Sequence, residues 1–357
     1  MNTLRNKTGV LILLSLVLLI TACGQRSSDS QNSTGSTDNG TALQDVQVVL
    51  DWTPNTNHTG LYVAQEMGYY KEAGLNVKII QPGQGGADTM VASGQVPFGI
   101  SYQESVTQAR VQDVPLVSLA AVIQHNTSGF AAPVDRGIKS PKDMEGKSYG
   151  AWGSPVEEAV MKSIMDTDGG DVSKVKSVNI GDADYFTAVK KGIDFAWIFY
   201  GWTGIEAELR GEPLDMLYVK DYSPNLDYYT PVIVTNENEI KNDPKLVKAF
   251  MSATAKGYAY AIANPDKAAD ILIKAVPDLD PELVKASQKW LSPRYQDDAA
   301  QWGLQKESVW AGYADWMYKQ KLLEQPLDAS KAFTNDFLPS ASATTQDTTT
   351  TTDTTAK

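Results

Sequence analysis

Short β-branched runs alternate with helix-patterned segments along most of this chain, and the alternation ends near residue 243. Runs at 46–49, 76–80, 98–101 and 116–123 read as strands, and between them apolar residues return at helical spacing, as at Leu61, Ala64 and Met67. Such alternation predicts a parallel-type α/β sheet, because a parallel neighbour is reached only through a crossover. A second unit of the same kind starts after Pro133, with strands at 148–152, 175–180, 195–200 and 214–219 and helices at 156–165, 184–191 and 205–210. Segment 229–235 is β-like again, whereas 245–263, 265–276, 281–290 and 306–319 are helical in pattern. An α/β unit set between an α/β opening and a helical return predicts two lobes joined by two crossings, near 130–134 and near 229–235. The expected fold class is therefore α/β and two-lobed, with lobe 1 built from 43–132 plus 231–339 and lobe 2 from 133–230. Ligands of such sheets sit at the carboxyl ends of the strands, so two facing lobes make a cleft.

Near the start, Arg5 and Lys7 precede an uncharged apolar run, 9–22, that stops at Cys23, the only cysteine. That is the layout of a secretory signal, and the run is shorter than the roughly 18–20 residues of a permanent span. Ile20-Thr21-Ala22-Cys23 resembles the bacterial lipobox, which implies cleavage after residue 22 and lipidation of Cys23. Segments 23–42 and 340–357 are poor in apolar residues and rich in Ser, Thr, Asn and Gly, so neither offsets its chain entropy by burial. They are expected to be a tether and a solvated tail. The expected location is the extracytoplasmic face of the cell membrane, held by lipid. A net charge of −12 repels nucleic acid and anionic membrane alike. One cysteine and two histidines give no disulfide and little material for a metal site.

Several catalytic motifs fail on inspection. Gly146-Lys147-Ser148 ends like a phosphate loop, but position 141 is proline and a strand follows. Gly83-Gln84-Gly85-Gly86 lacks the third glycine of a dinucleotide fingerprint and reads as a turn. Asp166-Thr167-Asp168-Gly169-Gly170-Asp171 has its glycine misplaced for a calcium loop, and Ser177 stands where the bidentate acid belongs. Neither G-x-S-x-G nor His-Glu-x-x-His occurs.

What the strand ends do carry is aromatic and polar: Trp52, Asn55 and His58; Tyr102, Gln103 and Glu104; Trp152; and Tyr200 and Trp202 with Glu206 one turn on. Flat side chains sandwich flat ligands, and a carboxylate among them accepts from a ring amino group. Any one of these aromatics alone is as readily core material. Their clustering at four strand ends favours a site. The alternative for Glu206, near a helix start, is a solvated first-turn acid that only stabilises its own helix.

The stretch Leu50-Asp51-Trp52-Thr53-Pro54-Asn55-Thr56-Asn57-His58-Thr59-Gly60-Leu61-Tyr62-Val63-Ala64, with Gly68-Tyr69-Tyr70-Lys71-Glu72-Ala73-Gly74-Leu75, resembles the substrate-binding lipoproteins of thiamine-precursor importers. The resemblance, which runs over 46–339, implies a periplasmic-binding-protein-like (type II) fold. It implies N-formyl-4-amino-5-aminomethyl-2-methylpyrimidine as ligand, an ABC permease as partner, a monomer, and no cofactor. It also implies that Trp52, Asn55, His58, Tyr62, Ser101, Gln103, Glu104, Trp152, Glu157, Tyr200, Trp202 and Glu206 face the ligand.

The same superfamily holds the fungal thiamine-pyrimidine synthases, and three departures separate this chain from them. Their pyridoxal-binding lysine is matched by Ser101, their cysteine-rich run by Asp227-Tyr228-Tyr229-Thr230-Pro231, and their phosphate loop by Gly153-Ser154-Pro155-Val156. The proline removes an amide donor and no basic residue replaces it. The expectation is a binder of an unphosphorylated ring and not an enzyme. A binder of a sulfonate or another flat heterocycle, an enzyme of thiamine-pyrimidine metabolism, and a surface scaffold remain as alternatives.

Overall fold

A computed structural model describes residues 42–83, 86–181 and 183–340. The expected signal, Cys23, the tether up to residue 41 and the tail from 341 onward lie outside the described residues. Among the described residues, ten strands form two sheets of five. The first sheet holds β1 (Gln44–Val49), β2 (Leu75–Ile80), β3 (Phe98–Ser101) and β4 (Leu116–Ala121); the second holds β5 (Ser128–Pro133), β6 (Ser148–Ala151), β7 (Lys176–Asn179), β8 (Phe195–Phe199) and β9 (Leu214–Tyr218). The last strand, β10 (Val232–Asn236), returns to the first sheet.

The two sheets share one plan. Their orders are β2-β1-β3-β10-β4 and β7-β6-β8-β5-β9. In each, the first three strands are parallel and the fourth runs against both of its neighbours. The sheets are thus mixed, where strand and helix alternation alone predicts parallel pairing. The direction follows from connectivity. A chain leaving the carboxyl end of β4 enters the second sheet from the cleft side and must run away from it, and the same holds for the return from β9 into β10.

The first crossing falls earlier than the sequence suggests. Phe130 already pairs with Trp197 and Leu217, so the chain passes between sheets at 122–127 and not at 130–134. β5 reads Ser-Gly-Phe-Ala-Ala-Pro and carries no β-branched residue to announce itself. The return runs through 219–231, up to the start of β10.

Apolar side chains fill both sides of the sheets. Under the first, Phe98 stacks on Phe250 with centroids 3.9 Å apart, and helices Thr59–Glu66 and Pro244–Ala263 pack closely against each other. A Cβ on Gly257 would lie 2.0 Å from the Gly60 carbonyl oxygen, and one on Gly60 would strike the Tyr258 ring. Both positions need glycine for this approach. Under the second sheet, Phe130, Tyr149, Phe195 and Trp197 share one cluster with Tyr313, Trp316 and Met317 of helix Glu307–Lys319. Trp310 of that same helix stacks on Phe333 in the first sheet's core. The helix expected to belong wholly to lobe 1 therefore packs on both sheets.

Candidate functional site

The opening motif folds back on itself. Asn55 caps the short turn Thr56–His58, its Oδ1 accepting from the Asn57 amide at 2.8 Å, while its own N–H donates to His58 Nδ1 at 3.2 Å. With Nδ1 an acceptor, Nε2 carries the proton and donates to Asp51 Oδ1 at 2.6 Å. Tyr102, just past β3, donates its hydroxyl to Asp51 Oδ2 at 2.7 Å. Both Asp51 oxygens and both His58 nitrogens are thereby engaged inside the protein. Burial pulls the Asp51 carboxyl upward, but the electrostatic pull of the His58 ring N–H and the hydrogen bonds from His58 and Tyr102 outweigh it and hold it below the usual range.

Two further acids stand beside this pair. Asp88, from helix Gly86–Ala92, is raised by burial, eased by the Ser101 and Ser105 hydroxyls, and raised again by Asp51. Glu104, in the first turn of helix Gln103–Val111, is pushed up to about 7 by burial, against a hydrogen bond from Tyr228, with Asp88 adding repulsion. Asp88 Oδ1 and Glu104 Oε2 are buried without a hydrogen-bond partner. No lysine or arginine among the described residues pairs with Asp51, Asp88 or Glu104. Asp51 is satisfied by its two donors, but Asp88 and Glu104 each leave a carboxyl oxygen unmatched, which suits a cation or a ring bearing amino groups. Tyr228 stacks on Tyr313 at 4.2 Å behind Glu104.

Aromatic surface flanks the acids. Trp52, three residues beyond β1, is 53% exposed, and Trp152, directly after β6, is 42% exposed. Trp152 rests on Trp197 with centroids 5.3 Å apart, and the Trp197 indole nitrogen is buried with no partner. Among the described residues these are the two exposed tryptophans, and they stand at equivalent strand ends of the two sheets.

The other expected residues have different surroundings. Glu157 is buried, and its carboxylate accepts from the Tyr149 hydroxyl at 2.6 Å and from the amides of Trp152, Gly153 and Ser154. It closes the capping box of helix Pro155–Thr167 and so fixes the loop that presents Trp152. Gln103 is buried and spends its amide on the Tyr229 N–H and the Val309 carbonyl, pinning the return crossing. Ser101 is buried at the end of β3.

Tyr62 and Trp202 pack together with Leu272 and Val284, which brings the second sheet's loop onto helices of the first. Burial raises the Tyr62 phenol to about 12. Tyr200 lies 5.4 Å from Trp290 and donates to Glu208. Glu206 holds the Arg210 guanidinium through Oε1, with Nε at 2.9 Å. The structure therefore gathers Trp52, Ser101 and Glu104 around Asp51 on one wall, Trp152 and Glu157 on the other, sets Tyr62, Tyr200 and Trp202 at an interlobe contact, and leaves Glu206 paired with Arg210 on its own helix. Asp51, Asp88, Trp197 and Tyr228 join the site unannounced. A separate recess of about 790 Å³ runs along edge strand β2 and holds Tyr62 alone of the expected residues.

Among the described residues no helix is long and apolar enough to cross a membrane, and no group of three or more His, Cys, Asp or Glu could hold a metal ion. The family described as NMT1/THI5 like matches residues 55–268. The chain is 30% identical over 334 residues to a formylaminopyrimidine-binding protein of Halalkalibacterium halodurans, covering 91% of this chain and 98% of that protein. It is 26% identical over 307 residues to a 4-amino-5-hydroxymethyl-2-methylpyrimidine phosphate synthase of Legionella pneumophila, covering 82% and 92%. The solved alkanesulfonate-binding protein SsuA of Xanthomonas axonopodis pv. citri superposes with a TM-score of 0.63 at 12% identity, over 81% of this chain and 98% of that one. This chain belongs to the NMT1/THI5 like family and has the two-lobed α/β fold of periplasmic binding proteins.

Proposed function

We propose that this chain is the extracytoplasmic solute-binding component of an ABC importer, that it takes N-formyl-4-amino-5-aminomethyl-2-methylpyrimidine between its lobes, and that it turns nothing over. The observation that carries this reading is the pairing of exposed Trp52 and Trp152 with an acceptor wall of Asp51, Asp88 and Glu104 that has no cation in it. Indole faces suit a flat ring and unmatched carboxyl oxygens suit its amino groups. A sulfonate would meet three acids and no basic side chain. Ser101, buried at the position that the resemblance matches to a pyridoxal-binding lysine, supports a binder over an enzyme.

Cys23 is the lipid anchor in this proposal, and the acidic chain reaches the membrane only through it. The test is native mass spectrometry of protein purified from its own cells, followed by calorimetric titration. A retained formylaminopyrimidine and a saturable binding heat support the reading. A retained sulfonate, or product formed on incubation with pyridoxal phosphate and iron, overturns it.

A further inference from the structure

His125 stands in the first crossing, and both of its ring nitrogens meet carboxylates. Nδ1 lies 2.6 Å from Asp227 Oδ2 in the return crossing, and Nε2 lies 3.3 Å from Asp298 Oδ1 in the segment after helix Pro281–Leu291. A neutral imidazole donates from one nitrogen only, so this arrangement is completed by the imidazolium alone. The remaining Asp227 oxygen accepts the Asn126 amide at 2.8 Å, and Asn126 Nδ2 donates to the Leu226 carbonyl at 2.9 Å. Two consecutive residues of one crossing are thus tied to two of the other. Gln124 fastens the same stretch to the C-terminal segment, its side chain donating to the Leu304 carbonyl at 3.1 Å.

We propose that His125 is a proton-operated clasp on the hinge: protonated, it binds both crossings to each other and to the C-terminal segment, and on losing its proton it releases Asp298 and loosens them. The charged and titratable neighbours are few. Asp227 and Asp298 favour the imidazolium, Lys306 Nζ stands 3.9 Å from the far oxygen of Asp298, and the Tyr229 phenol faces both acids. Arg294 directs its guanidinium over the Trp290 ring. Burial lowers the His125 pKa, but the hydrogen bonds and charges of Asp227 and Asp298 prevail and raise it above 6.5. The clasp is therefore complete below the ordinary histidine value and is lost as pH rises through the higher folded one.

The chain has only two histidines, so nitrogen-15 NMR of the full chain separates His125 from the buried, singly protonated His58. At pH 6 both His125 nitrogens are expected to be protonated, with a titration midpoint above 6.5. Hydrogen-exchange mass spectrometry over 122–127 and 219–231, corrected for intrinsic base catalysis, should show protection falling at that same midpoint. In His125→Gln the protection should be low and independent of pH, and in Asp298→Asn the His125 midpoint should drop. A midpoint at or below 6.5, or corrected protection unchanged through the titration, overturns the proposal. Neither readout requires a ligand, so failure here is separate from failure of the binding assignment.

Discussion

The imidazole of His58 reaches Asp51 at 2.6 Å across one turn of chain, with the Tyr102 hydroxyl on the opposite carboxylate oxygen. This link joins the ends of β1 and β3 and sets the floor on which Trp52 stands. Asp51→Asn keeps the shape but discards the charge that both donors address, and should cost about 1.5–3 kcal/mol of stability at neutral pH. The sign in acid follows from the depressed carboxyl. Its contribution is complete above its ordinary value of 3.8 and disappears as pH falls through its lower folded value. Thermal unfolding from pH 7 down to the acid limit of the fold should show the gap between wild type and variant closing only below 3.8, and a gap constant over the whole series would refute the assignment.

Gly257→Ala should destabilise the protein by at least about 2 kcal/mol, because the new methyl group meets a carbonyl oxygen and not a side chain that could turn aside. Denaturant unfolding measures it. Gly60→Ala should also destabilise, because its methyl group strikes the fully buried Tyr258 ring, and because both changes press on one helix contact their costs should add to less than the sum.

Glu104 carries the opposite pH signature from Asp51. Its carboxyl is raised from 4.5 to about 7, so the fold prefers it protonated, and stability should decline as pH climbs between those values. Glu104→Gln should flatten that decline. If a ring amino group or cation meets Glu104, binding near pH 7 should release a proton. The binding heat would then vary with the buffer's ionisation enthalpy in wild type but not in the variant. Equal buffer dependence in both would remove Glu104 from the ligand's surroundings.

Glu206 and Trp202 separate ligand reading from lobe contact. Glu206→Gln removes a half-exposed pair with Arg210 on the same helix, worth only a few tenths of a kcal/mol to stability. If the remaining carboxylate charge reads the ring, affinity for the aminopyrimidine should fall by about 1.5–3 kcal/mol with the ligand-free melting temperature nearly unchanged. Trp202→Ala should weaken binding comparably and also loosen the contact with Tyr62. Calorimetry with differential scanning on both variants decides it, and unaltered affinity in Glu206→Gln leaves Glu206 to its helix.

The strands were legible where β-branched and aromatic residues dominate, as in β1 and β8, and the two-sheet plan followed from their spacing. β5 was not, because its small residues are held by pairing with β8 and β9 on either side and not by local preference. Periodicity exposed the apolar face of helix Glu307–Lys319 but could not say that Trp310 and Trp316 meet different sheets. Trp52 and Trp152 were readable as strand-end aromatics. The partners of Glu157 and His58 were hidden, since backbone amides carry no sequence signature. Asp88 gave no signal because its surroundings come from other strands and helices.

The position of β10 has a consequence for biogenesis. Strands β5 to β9 come from one uninterrupted stretch, so the second sheet can be completed from contiguous chain. The first sheet cannot, because β10 lies between β3 and β4 and is translated only after the whole of the second. A chain emerging N-terminus first must hold β3 and β4 apart, with the faces of both unsatisfied, until Asn236 arrives. Any route across a membrane that requires an unfolded polypeptide would find the amino-terminal lobe unable to close prematurely.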